Sequence, residues 1–353
     1  EEVDRRFEEM GAEHNAGTWL EMTFYWARVL HEHVRPAIDL LSDLIHPLLD
    51  AEDFEAERPV ILEEIARYED MPAHILFNRF MSDFFGDHPL AWETLGTDST
   101  IRSLSVDQMR DYWRQRYGAN NIIFAIAGNF DWDQVVGQLQ ELTGGWEQGD
   151  AERRLSPVRP KPGLRVYQNE KFTQQQIAIG TPSVPQGDPR FYAAALLATI
   201  VGDDTGSRLF WSVEQTGLAE SISTSTMEFE DNGLFLTHLA TEPGLALRAL
   251  ETVQEELTKL RESEISADEL ERAKAKLNSS VVIGGESTNE RVMGLIRSWL
   301  TYRRLETLEE VREKIEAVTL NDLHDLIEEF PLDRDQVITA SGPLAPDALD
   351  GAA

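Results

Sequence analysis

The sequence predicts an α+β protein of two homologous domains, each a mixed or antiparallel sheet with helices packed on it. Three observations carry that reading. The chain aligns with itself at an offset near 214 residues, strand hairpins alternate with pairs of helices, and a charged, Pro/Gly-rich stretch separates the two copies.

The self-alignment is ungapped where it is clearest. "SLSVDQMRDYWRQRYGANNIIFAIAGNF" (103–130) lies over "AVTLNDLHDLIEEFPLDRDQVITASGPL" (317–344), with Gly128 on Gly342. Both read as a helix, a short turn, an apolar strand and a Gly turn. At an offset of 216, "AEDFEAERPVILEEI" (51–65) lies over "ADELERAKAKLNSSV" (267–281). Chance similarity between amphipathic helices is the alternative, but several segments agree on nearly one offset. The predicted domains are 1–150, a linker at 151–163, and 164–353. Subtracting the offset puts the start of the first copy about fifty residues before Glu1, so the first domain is expected to lack its opening part. The chain starts at Glu1 without a Met, inside a helical pattern of Val3, Phe7 and Met10.

Taken in chain order, period-3.6 patterns predict helices at 34–48, 53–68, 75–85, 106–117, 132–142, 189–201, 245–263, 267–278, 290–301 and 308–317. Alternating or apolar runs predict strands at 21–29, 122–127, 175–180, 233–240 and 336–340, and "GLRVYQ" opens the second copy as another. Pairs of helices on hairpin-like strands argue against a doubly wound parallel sheet.

Composition narrows the function classes. Of 353 residues, 41% are hydrophobic and eight are Trp, which indicates a folded chain. Sixty-four acids against 32 bases give a net charge of −32, which argues against nucleic-acid or anionic-membrane partners. A salt-loving source and an ordinary acidic surface would both give this balance. With no Cys, disulfides and thiolate metal sites are excluded and the redox compartment is not constrained. No apolar run reaches the roughly 18 residues of a membrane span.

One helix carries the chemical question. In "ERPVILEEIARYEDMP" (57–72), Glu57 and Glu64 are seven apart, two turns along nearly one line, beside Val60, Ile61, Ile65 and Tyr68. A face expected to be buried thus holds two carboxylates, which are costly to bury unless paired or bound to a cation. The second copy is a control. It has Ala273 and Ser280 at the matching positions, so the fold does not need acids there. A Glu paired with an Arg of a neighbouring helix is the alternative. On visible residues alone, a metal would lack two ligands: the eight His form neither H-E-x-x-H nor H-x-x-E-H, and "HEH" at 31–33 reads as the start of a helix.

"GAEHNAGTWLEMTFYWARVLHEHVRPAIDLLSDLIHPLLDAEDFEAERPVILEEIARYEDMP", "DHPLAWETLGTDSTIRSLSVDQMRDYWRQRYGANNIIFAIAGNFD" and "GDDTGSRLFWSVEQTGLAESI" together resemble the zinc metallopeptidases of the insulinase, pitrilysin and mitochondrial-processing-peptidase family. The resemblance covers essentially the whole chain, and "ERPVILEEI" with "NAGT" is its most specific part. It implies that Glu64 is the third zinc ligand and that Glu57 is the second acid behind the metal, orienting ligands. It implies that "NAGT", with Asn15, Ala16 and Thr18, is an edge strand that binds a peptide substrate as an added strand; a strand paired within its own sheet is the alternative. The family's H-x-x-E-H would supply two His ligands and the general base for a zinc-bound water. By the family's spacing its last His falls about thirteen positions before Glu1. The 353 residues alone are therefore expected to be inactive and without Zn²⁺.

In the second half, family assemblies place an Arg and a Tyr, seven apart, that hold substrate. The matching positions here are Val213 and Glu220, flanking Gly217 and Leu218. The resemblance therefore implies a metal-side subunit that forms a homo- or heterodimer with a homologue carrying the Arg/Tyr pair. A non-catalytic scaffold or substrate-holding homologue is the rival expectation. "GDDTGSRLF" reads as a structural turn, since it lacks the G-K-[ST] ending of a phosphate loop.

Overall fold

The computed structural model describes residues 2–150, 152–153, 156–262 and 265–351. Ser263, the predicted end of one helix, and residues 151, 154 and 155 of the predicted linker lie outside them. The first half runs α1 (Glu2–Glu9), β1 (Glu13–Thr18), β2 (Thr23–Arg28), α2 (Val34–Ile45), α3 (Ala51–Tyr68), α4 (Pro72–Phe85), α5 (Asp98–Ser103), α6 (Val106–Arg116) and α7 (Trp132–Thr143). The second runs β3 (Gly163–Gln168), β4 (Gln175–Pro182), α8 (Phe191–Gly202), β5 (Ser221–Glu228), β6 (Gly233–Thr241), α9 (Ala246–Glu262), α10 (Ala267–Gly284), α11 (Thr288–Tyr302), α12 (Leu308–Ala317), α13 (Leu320–Glu329) and β7 (Val337–Gly342). Helices and sheets are both present, as the α+β reading expects.

Two pairs of helices recur at the offsets read in the sequence. α3 and α10 are each 18 residues long and start 216 residues apart. α6 and α13 start 214 apart, and both open with a capping box: Ser105 with Gln108, Thr319 with Asp322. In each box the hydroxyl accepts from the N3 amide while the N3 side chain returns the bond, so two orphan amides of the first turn are satisfied.

Two compact units form. The first comprises Glu1–Ile65, Thr94–Arg154 and Gly284–Leu305; the second comprises Ala66–Glu93, Leu155–Ile283 and Glu306–Ala353. The units interleave along the chain, whereas the sequence reading places one cut at 151–163. Two of the five boundaries fall inside helices, one in α3 and one in α10.

In the second unit the sheet order is β3-β7-β4-β6-β5, with β3 and β7 parallel and the other neighbours antiparallel. Alternation sends Ile177, Ile179, Leu239, Ile222, Ile338 and Ala340 to one face. There they join the buried cluster with Leu196, Leu197 and Val201 of α8, Leu250, Val253 and Leu257 of α9, and Leu323 and Leu326 of α13. Each such side chain contributes about 1.5–3 kcal/mol by leaving water. On the other face, α4 packs on β4 and β7, and the Phe80 ring fills the space above Gly180. A Cβ at Gly180 would come within 2.2 Å of that ring, so only glycine admits it.

The first unit holds the two-stranded sheet of β1 and β2, paired from Glu13↔Arg28 to Thr18↔Thr23. The predicted strand Ile122–Ala127 is not a strand: it lies in no sheet, and Ile123 and Phe124 are exposed. Its repeat partner β7 lies between β3 and β4, but among the described residues 122–127 has no such neighbours. A strand needs a ladder to satisfy its backbone, and propensity alone does not supply one.

Two histidines tie stability to pH. His46 packs on Trp146 (ring centroids 4.0 Å apart) and Trp113 (5.3 Å), and burial lowers its pKa. His238 in β6 bonds through Nε2 to Gln176 Oε1 (2.9 Å), and burial lowers its pKa too. Both favour the neutral form in the folded state. Their contribution should be complete above the ordinary histidine pKa of about 6.5 and lost as pH falls through the lowered values. Urea unfolding at a series of pH values should show stability dropping below about pH 6.5, less steeply in His46→Phe.

Candidate functional site

α3 is held by bonds that sequence periodicity does not reveal. Asp50 accepts the Glu52 amide at 2.7 Å and caps the helix start. The preceding Leu49 has a left-handed φ of 47°, and its carbonyl takes two bonds from Arg110 of α6, at 2.8 and 3.1 Å. Trp113 Nε1 donates to the Ile45 carbonyl at 3.0 Å. From α3, Arg58 donates to the Leu104 carbonyl (3.0 Å) and to the Ile101 carbonyl, pairs with Glu55, and stacks over Phe54. These groups fasten α3 to α5 and α6 within the first unit.

The stripe of Glu57 and Glu64 is not the buried face expected. Glu57 is exposed, Val60 is 52% exposed, and Glu64, Ile61, Ile65 and Tyr68 are half-buried. No described residue of α3 is buried, whereas α10 buries Leu270, Ala273 and Lys274. Ala273, the counterpart of Glu57, belongs to the large buried cluster. The acids therefore carry no large burial cost in this structure, and the desolvation argument for a cation applies only where something further covers α3.

The residues present do not suffice for a metal. Among the described residues no group of three His, Cys, Asp or Glu is placed to hold an ion. Glu57 and Glu64 alone offer at most two carboxylates, short of the three or four ligands zinc takes.

β1 presents Asn15, Ala16 and Thr18 exposed. Its one strand partner is β2, so its outer side has no strand among the described residues. Asn15 Oδ1 accepts the amide of Ala16 at 2.8 Å, occupying a donor that a neighbouring strand could otherwise use. Opposite Ala16 stands Tyr25, whose hydroxyl meets that of Tyr117 at 3.2 Å; burial and that bond raise its pKa. The Phe24 ring lies over Gly17, where an added Cβ would come within 2.5 Å of it. The peptide-edge residues and the two acids thus share the first unit.

The second unit carries Val213 and Glu220. Val213 is fully buried in a π turn, Phe210–Glu214. Glu220 is exposed and accepts a bond from the Gln174 amide. Neither can supply an arginine or a tyrosine hydroxyl. "GDDTGSRLF" is a structural turn: Gly206 has a φ of 84°, and Ser207 donates to the Asp203 carbonyl at 2.7 Å and accepts the Phe210 amide. No helix among the described residues is long and apolar enough to cross a membrane.

Comparison with known proteins adds the following. The family described as insulinase, peptidase family M16, matches residues 1–98, and the family described as peptidase M16 inactive domain matches 103–277. An uncharacterized zinc protease of Streptomyces coelicolor is 31% identical over 97% of this chain and 76% of its own length. One from Bacillus subtilis is 30% identical over 92% of this chain and 80% of its own. Among solved structures, a protease from Helicobacter pylori shares the fold with a TM-score of 0.88 at 20% identity, covering 96% of this chain and 84% of that one. A chain of complex III from Candida albicans shares it with a TM-score of 0.84 at 18% identity, covering 99% and 89%.

Proposed function

The chain belongs to the insulinase family, peptidase family M16, and from that premise we propose that it is the metal-side part of an endopeptidase acting on extended peptides. The observation that carries this reading is the open edge of β1, with exposed Asn15, Ala16 and Thr18, in the same unit as Glu57 and Glu64. A strand edge recognises backbone amides and carbonyls, so it accepts many sequences provided they are extended. Glu64 would be one ligand of Zn²⁺ and Glu57 a carboxylate behind it. The residues present do not hold the ion alone, so Zn²⁺ would need further ligands besides Glu64. With Val213 and Glu220 in place of an Arg/Tyr pair, substrate holding would fall to a homologous subunit in a dimer. A net charge of −32 argues against a nucleic-acid partner.

A second reading, a non-catalytic scaffold or substrate-holding homologue, is favoured by the inactive-domain match at 103–277. The retained acids of α3 count against it. Metal analysis and a peptide-cleavage assay, run on this chain and on the product of its entire gene, separate the two. The peptidase reading expects zinc and chelator-sensitive cleavage in the whole product and neither in the 353 residues alone. Absence of both from the whole product leaves the scaffold.

A further inference from the structure

α4 packs over β4 and β7, and on the same side of the second-unit sheet β5 turns Ser221, Ser223 and Ser225 to solvent. Register places Gln176, Ala240 and Ser221 in one row across three strands, and Ala178, His238 and Ser223 in the next. A chain of hydrogen bonds runs over these rows from a charged end. Glu220 is exposed, no cation pairs with it among the described residues, and its carboxylate accepts from Gln174 Nε2. Gln174 Oε1 accepts from Gln176 Nε2 at 3.4 Å, and Gln176 Oε1 meets His238 Nε2 at 2.9 Å.

The charge sets the direction of the whole chain. A carboxylate only accepts, so each amide turns an N–H toward Glu220 and its oxygen away. The last oxygen, on Gln176, takes the N–H of His238. Burial lowers the His238 pKa and keeps the ring neutral at about pH 7, so its single proton sits on Nε2 and Nδ1 holds a bare lone pair. The chain spends these donors on its own links and leaves Glu220 and Nδ1 as acceptors. The serines of β5 recur at every second residue, about 6.6–6.8 Å apart, which is the spacing of alternate residues in an extended peptide. We propose that this face of the second unit binds an extended peptide through a basic side chain, with an arginine guanidinium seated at Glu220 beside the small side chains of Ala240 and Ser221. A guanidinium only donates, the complement of an acceptor surface. The inference uses no residue of β1 or α3 and stands whether or not Glu64 binds a metal.

Histidine-selective ¹⁵N labelling of the full 353-residue chain reads the imidazoles by NMR, with His238→Gln identifying the signal. The parent should show His238 protonated at Nε2. Two short, otherwise neutral peptides are then titrated, one with a central arginine and one with citrulline, its uncharged isostere. About 0.3 M NaCl screens long-range attraction. The arginine peptide should move the His238 signal and bind about tenfold more tightly than the citrulline peptide. Glu220→Gln keeps an acceptor oxygen and loses the charge, so the His238 tautomer should hold while the tenfold preference disappears. Glu220 is one of 64 acids, so the general attraction of the chain for cations is nearly the same in that variant. Protonation of His238 at Nδ1 in the parent, equal binding of the two peptides, or a preference that survives Glu220→Gln overturns the inference. No cleavage is measured, so the result is independent of the peptidase reading.

Discussion

Replacing Asp83 with alanine is expected to destabilise the second unit by about 3 kcal/mol, the lower end of what breaking a buried charged network costs. Asp83 sits on α4 with its side chain 7% exposed. It accepts the Tyr167 hydroxyl of β3 and the Thr339 hydroxyl of β7, both at 2.7 Å, and lies 3.5 Å from Arg165 Nε. Arg79 of α4 stacks over the Tyr167 ring. Burial, reinforced by the bond to Asp83, pushes the Tyr167 pKa up to about 12. One carboxylate thus locks a helix to two parallel strands. Alanine leaves two hydroxyls without an acceptor and a partly buried guanidinium without its counter-charge. Arg165, 34% exposed, can rehydrate, which keeps the loss at the lower end. Asp83→Asn retains an acceptor oxygen and should lose clearly less. Thermal unfolding should show a fall on the order of 6–12 °C for the alanine variant. A shift within a degree of the parent would mean that α4 is held by Phe80 and Phe84 alone.

The second large effect concerns α3. On the proposed peptidase reading, Glu64→Gln should lower peptide cleavage by more than about 100-fold, because an amide does not replace an anionic ligand. Glu57→Gln should cost about 10–100-fold, the range of residues that orient ligands without binding the ion. The ordering matters more than either value. Zinc content measured alongside should fall for Glu64→Gln and hold for Glu57→Gln. Equal losses, with zinc retained in both, would remove the distinction between the two acids. Neither substitution should alter folding much, since Glu57 is exposed and Glu64 half-buried.

What could be read in the sequence was what depends on neighbours along the chain. α3, α6, α10 and α13 are helices because of periodicity and local caps, and they start at the offsets of 214 and 216 that the sequence alignment gives. What could not be read depends on partners far away. "NIIFAIA" has the composition of a strand at 122–127, yet strand formation waits on a neighbour that composition does not name. The spacing of Glu57 and Glu64 places them on one line, but not whether anything covers that line, so the expected burial failed. Asp83 reaches partners 84 and 256 residues away, and no local pattern marks it. The assignment of Ala66–Glu93 to the second unit has the same origin, because the faces of α4 are chosen by β4 and β7.

Anomalous diffraction at the zinc absorption edge, on crystals of the whole gene product, reads the principal assignment atom by atom. An ion peak about 2.0–2.2 Å from a Glu64 carboxylate oxygen, with Glu57 behind it and outside bonding distance, is the predicted map. A well-ordered Glu64 facing solvent or joined to an arginine, with any zinc peak elsewhere, contradicts it.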